Sequence, residues 1–146
     1  MEELQKLLAP YRAFITYTPL RTEVYAHALF DTDGAVMYLI EPRASLDPKE
    51  EALAAMKTAG DLPTAILVPG RRFDASGTRH GQGGGWYDRF LARVPSEWLR
   101  VGFCFDDQFS LVPLVRNAWD QPVDYICVID RKSGGMKIYA SGRLVA

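Results

Sequence analysis

A glycine-rich run between residues 66 and 91 holds the residue types that most clearly suggest chemistry. It reads ILVPGRRFDASGTRHGQGGGWYDRFL, with an apolar start, six glycines and an aromatic end. A strand, a glycine-rich loop and a helix N-terminus together expose main-chain N–H groups to an anion, and the helix dipole favours negative charge there. The run therefore predicts a phosphate-binding loop, for which the alternative is a flexible surface loop.

This loop matches neither of the common nucleotide-binding fingerprints. It has no Gly-Lys-Ser/Thr ending, and no acidic residue follows at the spacing expected of a dinucleotide fold. Basic residues are nevertheless concentrated around it, which suits a small anionic ligand: Arg71, Arg72, Arg79, Arg89 and Arg93.

Two aspartates are candidates for binding a metal ion beside the phosphate-binding loop. Asp88 follows the last glycine closely, and Asp120 lies in the loop sequence WDQP. Mg²⁺ is commonly held by one or two carboxylates together with phosphate oxygens and water. The alternatives are an acidic residue in the first turn of a helix for Asp88, and an Asx-turn for Asp120.

The histidines and cysteines do not form a recognisable catalytic or metal-binding set. His80 lies inside the glycine loop and could contact phosphate, whereas His27 is interpreted as structural. Cys104 and Cys127 each lie in an apolar run, which favours two buried thiols over a disulfide or a metal pair.

Length and composition indicate one globular domain spanning residues 1–146, since nearly half of the residues are apolar. The formal net charge of −1 argues against a general nucleic-acid binder. The charged start does not resemble a signal peptide, and no apolar run approaches the length that spans a bilayer. We therefore expect a cytoplasmic protein, monomeric or homodimeric, with no membrane or nucleic-acid partner.

The pattern of apolar runs predicts strands that alternate with helices. Predicted helical segments are residues 1–8, a turn at 25–30, a helix between Asp47 and Gly60, and residues 87–93; predicted strands are 13–18, 35–40, 64–68, 100–105, 123–129 and 136–139. Strands that are apolar throughout are typical of a mainly parallel α/β sheet flanked by helices on both faces, in three layers.

In such open sheets ligands bind beyond the carboxyl ends of the strands. Polar groups that follow predicted strands are the loop after Val68, residues 106–108 and residues 21–23. The phosphate-binding loop is thus expected at one edge of the sheet, together with these groups.

The segment VPGRRFDASGTRHGQGGGWYDRFL resembles the signature of the 5-formyltetrahydrofolate cyclo-ligase (5,10-methenyltetrahydrofolate synthetase) family, approximately V-P-G-x-x-F-D-x-x-G-x-R-x-G-x-G-x-G-Y-Y-D-x-x-L. The later segment VGFCFDDQFSLVPLVRNAWDQPVDYICV resembles the same family. The resemblance implies an α/β enzyme that uses ATP and Mg²⁺ to convert 5-formyltetrahydrofolate to 5,10-methenyltetrahydrofolate through phosphorylation of the formyl oxygen.

The resemblance also implies roles for individual residues. Arg79 and Tyr87 would be catalytic, and Asp88 and Asp120 would hold Mg²⁺. Trp86 and Tyr87 would also lie close to the folate. Glu23 is a further candidate for binding the substrate, and Glu41 is the alternative candidate for that role. The ATP-binding residues would be Arg79, His80, Gly81, Gln82, Gly83, Gly84, Gly85, Trp86 and Tyr87.

Several positions depart from the family pattern. Gln82 stands where the family often has Arg, His80 where it has Leu, and Trp86 where it has Tyr. The segment MEELQKLLAPYR offers no counterpart of the family's basic N-terminal helix, so a member shortened at its N-terminal side is expected. The alternative functions are a non-catalytic homologue that binds folate or nucleotide as a regulatory module, and a different small-molecule enzyme on the same scaffold.

Overall fold

The computed structural model describes residues 2–41, 47–81 and 84–143. Its helices are α1 (Glu2–Leu8), α2 (Pro48–Ala59) and α3 (Trp86–Leu91), with 3-10 turns at Ala26–Ala28 and Asp106–Gln108. Its strands are β1 (Ala13–Tyr17), β2 (Val36–Ile40), β3 (Thr64–Pro69), β4 (Arg72–Asp74), β5 (Arg79–His80), β6 (Leu99–Phe105), β7 (Phe109–Ser110), β8 (Tyr125–Ile129) and β9 (Met136–Ala140).

A six-stranded sheet in the order β2-β1-β3-β6-β8-β9 forms the centre of the described structure. Neighbouring strands are parallel except for β8 and β9, which are antiparallel. Because β2 and β3 lie on opposite sides of β1, the chain changes direction across the sheet at β1. This is the kind of position at which open α/β sheets bind ligands.

Helices cover both faces of this sheet, and this explains why its inner strands are apolar throughout. The helices α2 and α3 pack on one face through Ala52, Ala55 and Phe90. The helix α1 packs on the other face through Leu4 and Leu8. The prediction of a mainly parallel α/β sheet flanked by helices in three layers is confirmed.

The caps of α2 follow from the sequence as predicted. The Asp47 side chain accepts a hydrogen bond of 3.0 Å from the main-chain N–H of Lys49, and Pro48 occupies the first helical position. Gly60 ends the helix with a φ of +57°, a conformation that residues with a Cβ rarely adopt.

The sequence had suggested that the glycine-rich run forms one continuous loop. The structure shows that it does not. It contains β4 and β5, which form a second sheet with β7 in the order β5-β4-β7. Phe73 of β4 packs so close to Gly70 that a Cβ there would lie 2.9 Å from the ring. These strands are too short for a periodic pattern, and β4 depends on a partner strand 36 residues further along the chain, as Phe73 pairs with Phe109.

Other element boundaries differ from the predictions by a few residues. The strand β3 extends through Pro69, which pairs with Phe103, and α3 covers residues 86–91 instead of 87–93. The strand β8 begins at Tyr125 instead of Val123, whose N–H donates to the carbonyl oxygen of Gly77 outside the central sheet.

The two cysteines are buried and unpaired, which confirms the prediction of buried thiols. They lie on the neighbouring strands β6 and β8, but Cys104 and Cys127 face opposite sides of the sheet. Burial raises the pKa of each thiol to about 12, so both stay protonated at neutral pH. None of the helices in the described part of the chain is long and apolar enough to cross a bilayer.

Candidate functional site

A cavity of about 1260 Å³ opens at the carboxyl ends of β1 and β3. Tyr17 and Thr18 border it at the end of β1, and Pro69 borders it at the end of β3. The remaining walls come from the loop after β1, from the end of β2, from residues 79–81 and 84–88 of the glycine-rich run, and from a segment at residues 115–120. The cavity therefore lies where the chain reverses across the sheet, as the sequence predicted for the phosphate-binding loop.

Arg79 crosses the floor of this cavity. Its Nε donates a hydrogen bond to the carbonyl oxygen of Pro69, and its guanidinium lies 4.6 Å from the centre of the Tyr87 ring. Burial lowers the pKa of Arg79, whereas the carboxylates of Asp88, Glu23 and Asp120 act in the opposite direction. A guanidinium ionises far above neutral pH even after such a shift, so Arg79 is a cation that faces an acidic cavity.

Close backbone approach explains one of the glycines beside Arg79. A Cβ on Gly81 would lie 2.8 Å from Arg79 Nη2, so a larger residue would displace the guanidinium. Gly85 has a φ of +69° and caps the start of α3. Gly81, Gly84 and Gly85 all line the cavity, whereas Gln82 and Gly83 lie outside the described residues.

The hydroxyl of Tyr87 is buried and has no hydrogen-bond partner among the described residues. Burial raises its pKa, and the nearby Arg79 cation opposes that shift. The phenol is therefore protonated at neutral pH and lies at the wall of the cavity with a donor to offer. Trp86 also lines the cavity, and its ring stacks on Phe90 with 5.3 Å between ring centres.

The structure brings Asp88 and Asp120 together, although 32 residues separate them in the sequence. Asp88 Oδ1 accepts a hydrogen bond of 2.9 Å from the N–H of Gln121, the residue after Asp120. Burial raises the pKa of Asp88, and the hydrogen bond from Gln121 opposes this rise. The adjacent Asp120 carboxylate raises the pKa of Asp88 further, through charge repulsion and a side-chain hydrogen bond. Two carboxylates this close repel each other when both are ionised, and a divalent cation would relieve that repulsion.

Asp120 does not form the Asx-turn that was considered as its alternative role, because the residue two positions later is Pro122, which has no N–H to donate. Its Oδ2 instead accepts a hydrogen bond of 2.8 Å from the N–H of Asn117, three residues earlier. This hydrogen bond fixes the carboxylate at the wall of the cavity. The described residues contain no group of three or more histidine, cysteine or acidic side chains placed to hold a metal. A pair of carboxylates is sufficient for Mg²⁺ that also contacts phosphate and water.

Arg100 supports this pair of carboxylates from inside the protein. Its guanidinium donates to the carbonyl oxygen of Leu91 at the end of α3 and to that of Pro122, both at 3.1 Å. It thereby ties the helix that carries Asp88 to the loop that carries Asp120. Burial lowers the pKa of Arg100 to about 10, so the side chain remains a cation at neutral pH.

Both glutamates that were candidates for binding substrate line the cavity. Glu23 accepts a hydrogen bond of 2.8 Å from the N–H of Leu20, and Glu41 accepts one of 3.3 Å from the Thr18 hydroxyl. The Glu23 carboxylate also acts to raise the pKa of Arg79 and of Tyr87, which line the same cavity. Residue 42, which completes the Glu-Pro alternative, lies outside the described residues.

The predicted polar group at residues 106–108, and Arg21 of the group at residues 21–23, do not reach the cavity. Asp106 and Asp107 bind Arg131, and Gln108 accepts a hydrogen bond from the N–H of Phe105. These residues follow β6, which β3 separates from β1 in the sheet. Arg21 is exposed and does not line the cavity.

The expectation that five arginines around the glycine-rich run would serve an anionic ligand is also largely wrong. Of the five arginines around the glycine-rich run, only Arg79 lines the cavity. Arg89 points back to the loop and donates a hydrogen bond of 2.7 Å to the carbonyl oxygen of Gly84. Proximity in sequence did not predict which side chains turn inward.

Sequence reasoning missed the wall that residues 115–120 form. Val115, Asn117 and Trp119 line the cavity there. His80 Nε2 lies 2.7 Å from the carbonyl oxygen of Val115, which connects this wall to the glycine-rich run. The available signal was an apolar and aromatic loop sequence immediately before Asp120. His27, by contrast, contacts the Thr16 hydroxyl at 3.0 Å, in keeping with its expected structural role.

Comparisons with known proteins agree with this architecture. The model of the 5-formyltetrahydrofolate cyclo-ligase family matches residues 1–129. A 5,10-methenyltetrahydrofolate synthetase from Mycoplasma pneumoniae has a similar structure, with a TM-score of 0.59 and 18% identity over 86% of this chain and 79% of that one. The 5,10-methenyltetrahydrofolate synthetase from Aquifex aeolicus gives a TM-score of 0.53 and 24% identity over 96% of this chain and 80% of that one. No curated protein sequence matches this chain.

Proposed function

This chain belongs to the 5-formyltetrahydrofolate cyclo-ligase family, and on that premise we propose that it uses ATP and Mg²⁺ to convert 5-formyltetrahydrofolate to 5,10-methenyltetrahydrofolate. One observation carries the proposal. A single cavity gathers the glycine-rich run, the Arg79 cation, the unpartnered Tyr87 hydroxyl and the Asp88–Asp120 pair. Phosphoryl transfer needs little more from a protein than positioning and neutralisation of charge.

The proposed reaction has two steps. The formyl oxygen attacks the γ-phosphorus of ATP, and ADP leaves. The N10 nitrogen of the folate then attacks the activated formyl carbon, a C–N bond forms, N10 gives up its proton to the departing phosphate or to water, and inorganic phosphate leaves with the former formyl oxygen. Phosphorylation is required because the oxygen of an amide-like group is a poor leaving group.

The described residues divide this work between them. Arg79 supplies positive charge beside the transferred phosphoryl group, and the backbone at Gly81, Gly84 and Gly85 approaches the other phosphates. Tyr87 donates a hydrogen bond to an oxygen of the folate or the phosphoryl group, since its hydroxyl has no partner within the described protein. Asp88 and Asp120 would hold Mg²⁺, which would neutralise phosphate charge.

The size of the cavity is consistent with two substrates. Its volume of about 1260 Å³ exceeds the roughly 300–1,000 Å³ that is typical of a pocket for one ligand. We place the folate beside Tyr17, Glu23 and Tyr87, and the nucleotide along the glycine-rich run. This arrangement lets the formyl group meet the γ-phosphate near Arg79 and Tyr87.

The decisive experiment measures the absorbance of methenyltetrahydrofolate after 5-formyltetrahydrofolate, ATP and Mg²⁺ are mixed with the protein. We expect product only when all three are present, and we expect Asp88→Asn to abolish its formation. Asp61→Asn is the matched control, because Asp61 is exposed and lies outside the cavity. Omission of Mg²⁺ should have the same effect as Asp88→Asn.

One observation favours a second function, that of a non-catalytic binding module. Among the described residues that line the cavity, Arg79 is the only arginine or lysine, against Glu23, Glu41, Asp88 and Asp120. Such a site holds a polyphosphate weakly without a metal ion. Calorimetric binding of folate or nucleotide, with no product even at high protein concentration, would establish the module in place of the ligase.

A further inference from the structure

The wall at residues 115–120 continues a segment that begins at residue 111. This whole segment, which we call the wall at residues 111–120, leaves an unusual amount of apolar surface exposed. Its residue Trp119 is 68% exposed, yet the side chain borders the cavity. Leu111 in the same segment is 93% exposed and does not border the cavity. A large aromatic ring at the mouth of a cavity offers a planar surface that a planar ligand can cover.

Hydrogen bonds to the glycine-rich run hold this wall in place. The N–H of Leu114 donates to Asp74 Oδ2 at 2.7 Å, and Arg116 Nε donates to the Thr78 hydroxyl at 3.0 Å. Arg116 also donates to the carbonyl oxygen of Ser76 at 2.9 Å. The wall is therefore a formed part of the site, and a ligand that packs against it does not need to order a free loop.

The position of Trp119 along the cavity indicates which part of a ligand it meets. Trp119 directly precedes Asp120, one of the two carboxylates at the phosphate end, and its wall contacts the glycine-rich run through His80. Tyr17 and Glu23, where we place the folate, come from β1 and the loop after it, whereas Trp119 lies between β7 and β8, and β1 and β8 are on opposite sides of β3 in the central sheet. A ligand ring that packs against the Trp119 indole therefore belongs to the nucleotide, whose phosphates we place on the glycine-rich run.

Asn117 adds a polar group to the same wall. Its main-chain N–H is used by Asp120, and its side chain borders the cavity. An asparagine amide combines one donor and one acceptor, the pair that is complementary to the N6 and N7 edge of adenine. Guanine presents acceptors at the corresponding positions and is a poorer match.

We propose that Trp119 and Asn117 form the nucleobase subsite of this cavity, in which the indole stacks on a purine ring and the amide selects adenine over guanine. The proposal rests on the proposed function, because it specifies how the nucleotide of that reaction is held. Trp119 is then a specificity-determining residue that acts on binding at a distance from the transferred phosphoryl group.

Calorimetric titration with Mg-ATP in the absence of folate tests the stacking. We expect Trp119→Ala to weaken Mg-ATP binding about 5- to 100-fold, since stacking of one base on an aromatic side chain has that effect. Trp119→Phe keeps an aromatic face and should stay within about threefold of the original protein. Leu111→Ala removes an even more exposed apolar side chain of the same segment, outside the cavity, and should leave the affinity unchanged.

Fluorescence gives a readout that does not depend on affinity alone. Mg-ATP should quench the tryptophan emission of the original protein, and the quenching should be clearly smaller in Trp119→Phe, which lacks the Trp119 contribution. Trp86 also borders the cavity, so any quenching of Trp86 is present in both proteins, whereas Trp98 is 7% exposed, does not border the cavity and supplies a constant background. Asn117→Ala should reduce the preference for Mg-ATP over Mg-GTP by about tenfold.

The outcomes separate this proposal from the one on which it rests. Normal Mg-ATP affinity in Trp119→Ala overturns the subsite and leaves the cyclo-ligase reaction standing. A loss of 5-formyltetrahydrofolate affinity in Trp119→Ala, with Mg-ATP affinity retained, shows that the wall binds the folate and overturns the assignment to a nucleobase. Absence of Mg-ATP binding to the original protein overturns both proposals.

Discussion

The Arg79 guanidinium lies 4.6 Å from the centre of the Tyr87 ring, and the hydroxyl of that same ring has no hydrogen-bond partner in the part of the chain that the structure describes. The ring is thus fixed on one side by a cation, while its polar end remains available at the cavity wall. A buried hydroxyl without a partner costs stability in the unliganded protein. The Tyr87 hydroxyl is therefore positioned to form a hydrogen bond with a ligand.

Tyr87→Phe should accordingly separate stability from activity. Because no hydrogen bond within the protein is lost, the free energy of unfolding should stay the same or rise by up to about 1 kcal/mol. The kcat for methenyltetrahydrofolate formation should fall at least tenfold. Urea denaturation and steady-state kinetics measure the two effects.

Tyr17→Phe is the matched control for this comparison. The Tyr17 hydroxyl donates a hydrogen bond of 2.6 Å to the carbonyl oxygen of Val24. Its loss should lower the free energy of unfolding by about 0.5–1.5 kcal/mol. Equal destabilisation by both substitutions would contradict the interpretation of Tyr87.

Asp88→Asn should abolish binding of Mg²⁺ with nucleotide without destabilising the protein. Burial raises the pKa of Asp88, as does the neighbouring Asp120 carboxylate. For a group whose folded pKa is raised, the stabilisation is complete below the unfolded pKa and is lost as pH rises through the folded pKa. At neutral pH the ionised Asp88 is therefore unfavourable without metal, and the neutral amide removes that cost.

Thermal unfolding with and without Mg²⁺ and nucleotide measures this effect. The original protein should gain melting temperature when both are added, and Asp88→Asn should not. The pH dependence provides a second check. Mg²⁺ affinity should begin to fall at a higher pH than it would for an ordinary carboxylate, because protons compete with the metal at the raised pKa.

The sequence predicted the central sheet well because apolar runs record burial on both faces. It could not predict that Asp88 accepts a hydrogen bond from the N–H of Gln121, since that contact depends on how a loop 33 residues away returns to α3. Nor did it show that Arg79 turns inward while Arg89 bonds to Gly84. Side-chain direction in a loop follows from tertiary contacts, which leave no periodic pattern in sequence.

Asp74 of the glycine-rich run illustrates the same limit and leads to a further prediction. Its carboxylate accepts hydrogen bonds from the N–H groups of Ser76, Thr78 and Leu114, at 3.0, 3.0 and 2.7 Å. Asp74→Ala should lower the free energy of unfolding by about 2–4 kcal/mol, because it leaves several donors without a partner. Activity should fall as well, since the wall at residues 111–120 loses its anchor.

The contribution of Asp74 should also depend on pH. Burial alone would raise the pKa of this carboxyl, but the hydrogen bonds from Leu114, Ser76 and Thr78 outweigh burial and lower it. For a lowered pKa, the stabilisation is present above the unfolded pKa and is lost as pH falls through the folded pKa. Urea denaturation from neutral to acidic pH should show this loss in the original protein and not in Asp74→Asn.

Gly102 and Phe73 provide a prediction about packing beneath the site. A Cβ on Gly102 would lie 2.8 Å from Cζ of Phe73 and closer still to Cε1, and Phe73 is completely buried. Gly102→Ala should lower the free energy of unfolding by about 1–3 kcal/mol, because the ring has no space to move. Gly84→Ala is the control for stability, since a Cβ at Gly84 meets no atom within 4 Å.

The double variant Gly102→Ala/Phe73→Leu tests whether the clash with the ring is the cause. The smaller side chain leaves room for the new methyl group, so the two substitutions together should cost less than the sum of their separate effects by about 1 kcal/mol or more. Urea denaturation of the four proteins in this cycle measures the difference. Strict additivity would mean that Gly102→Ala acts through the backbone of β6 and that Phe73 is not the obstacle.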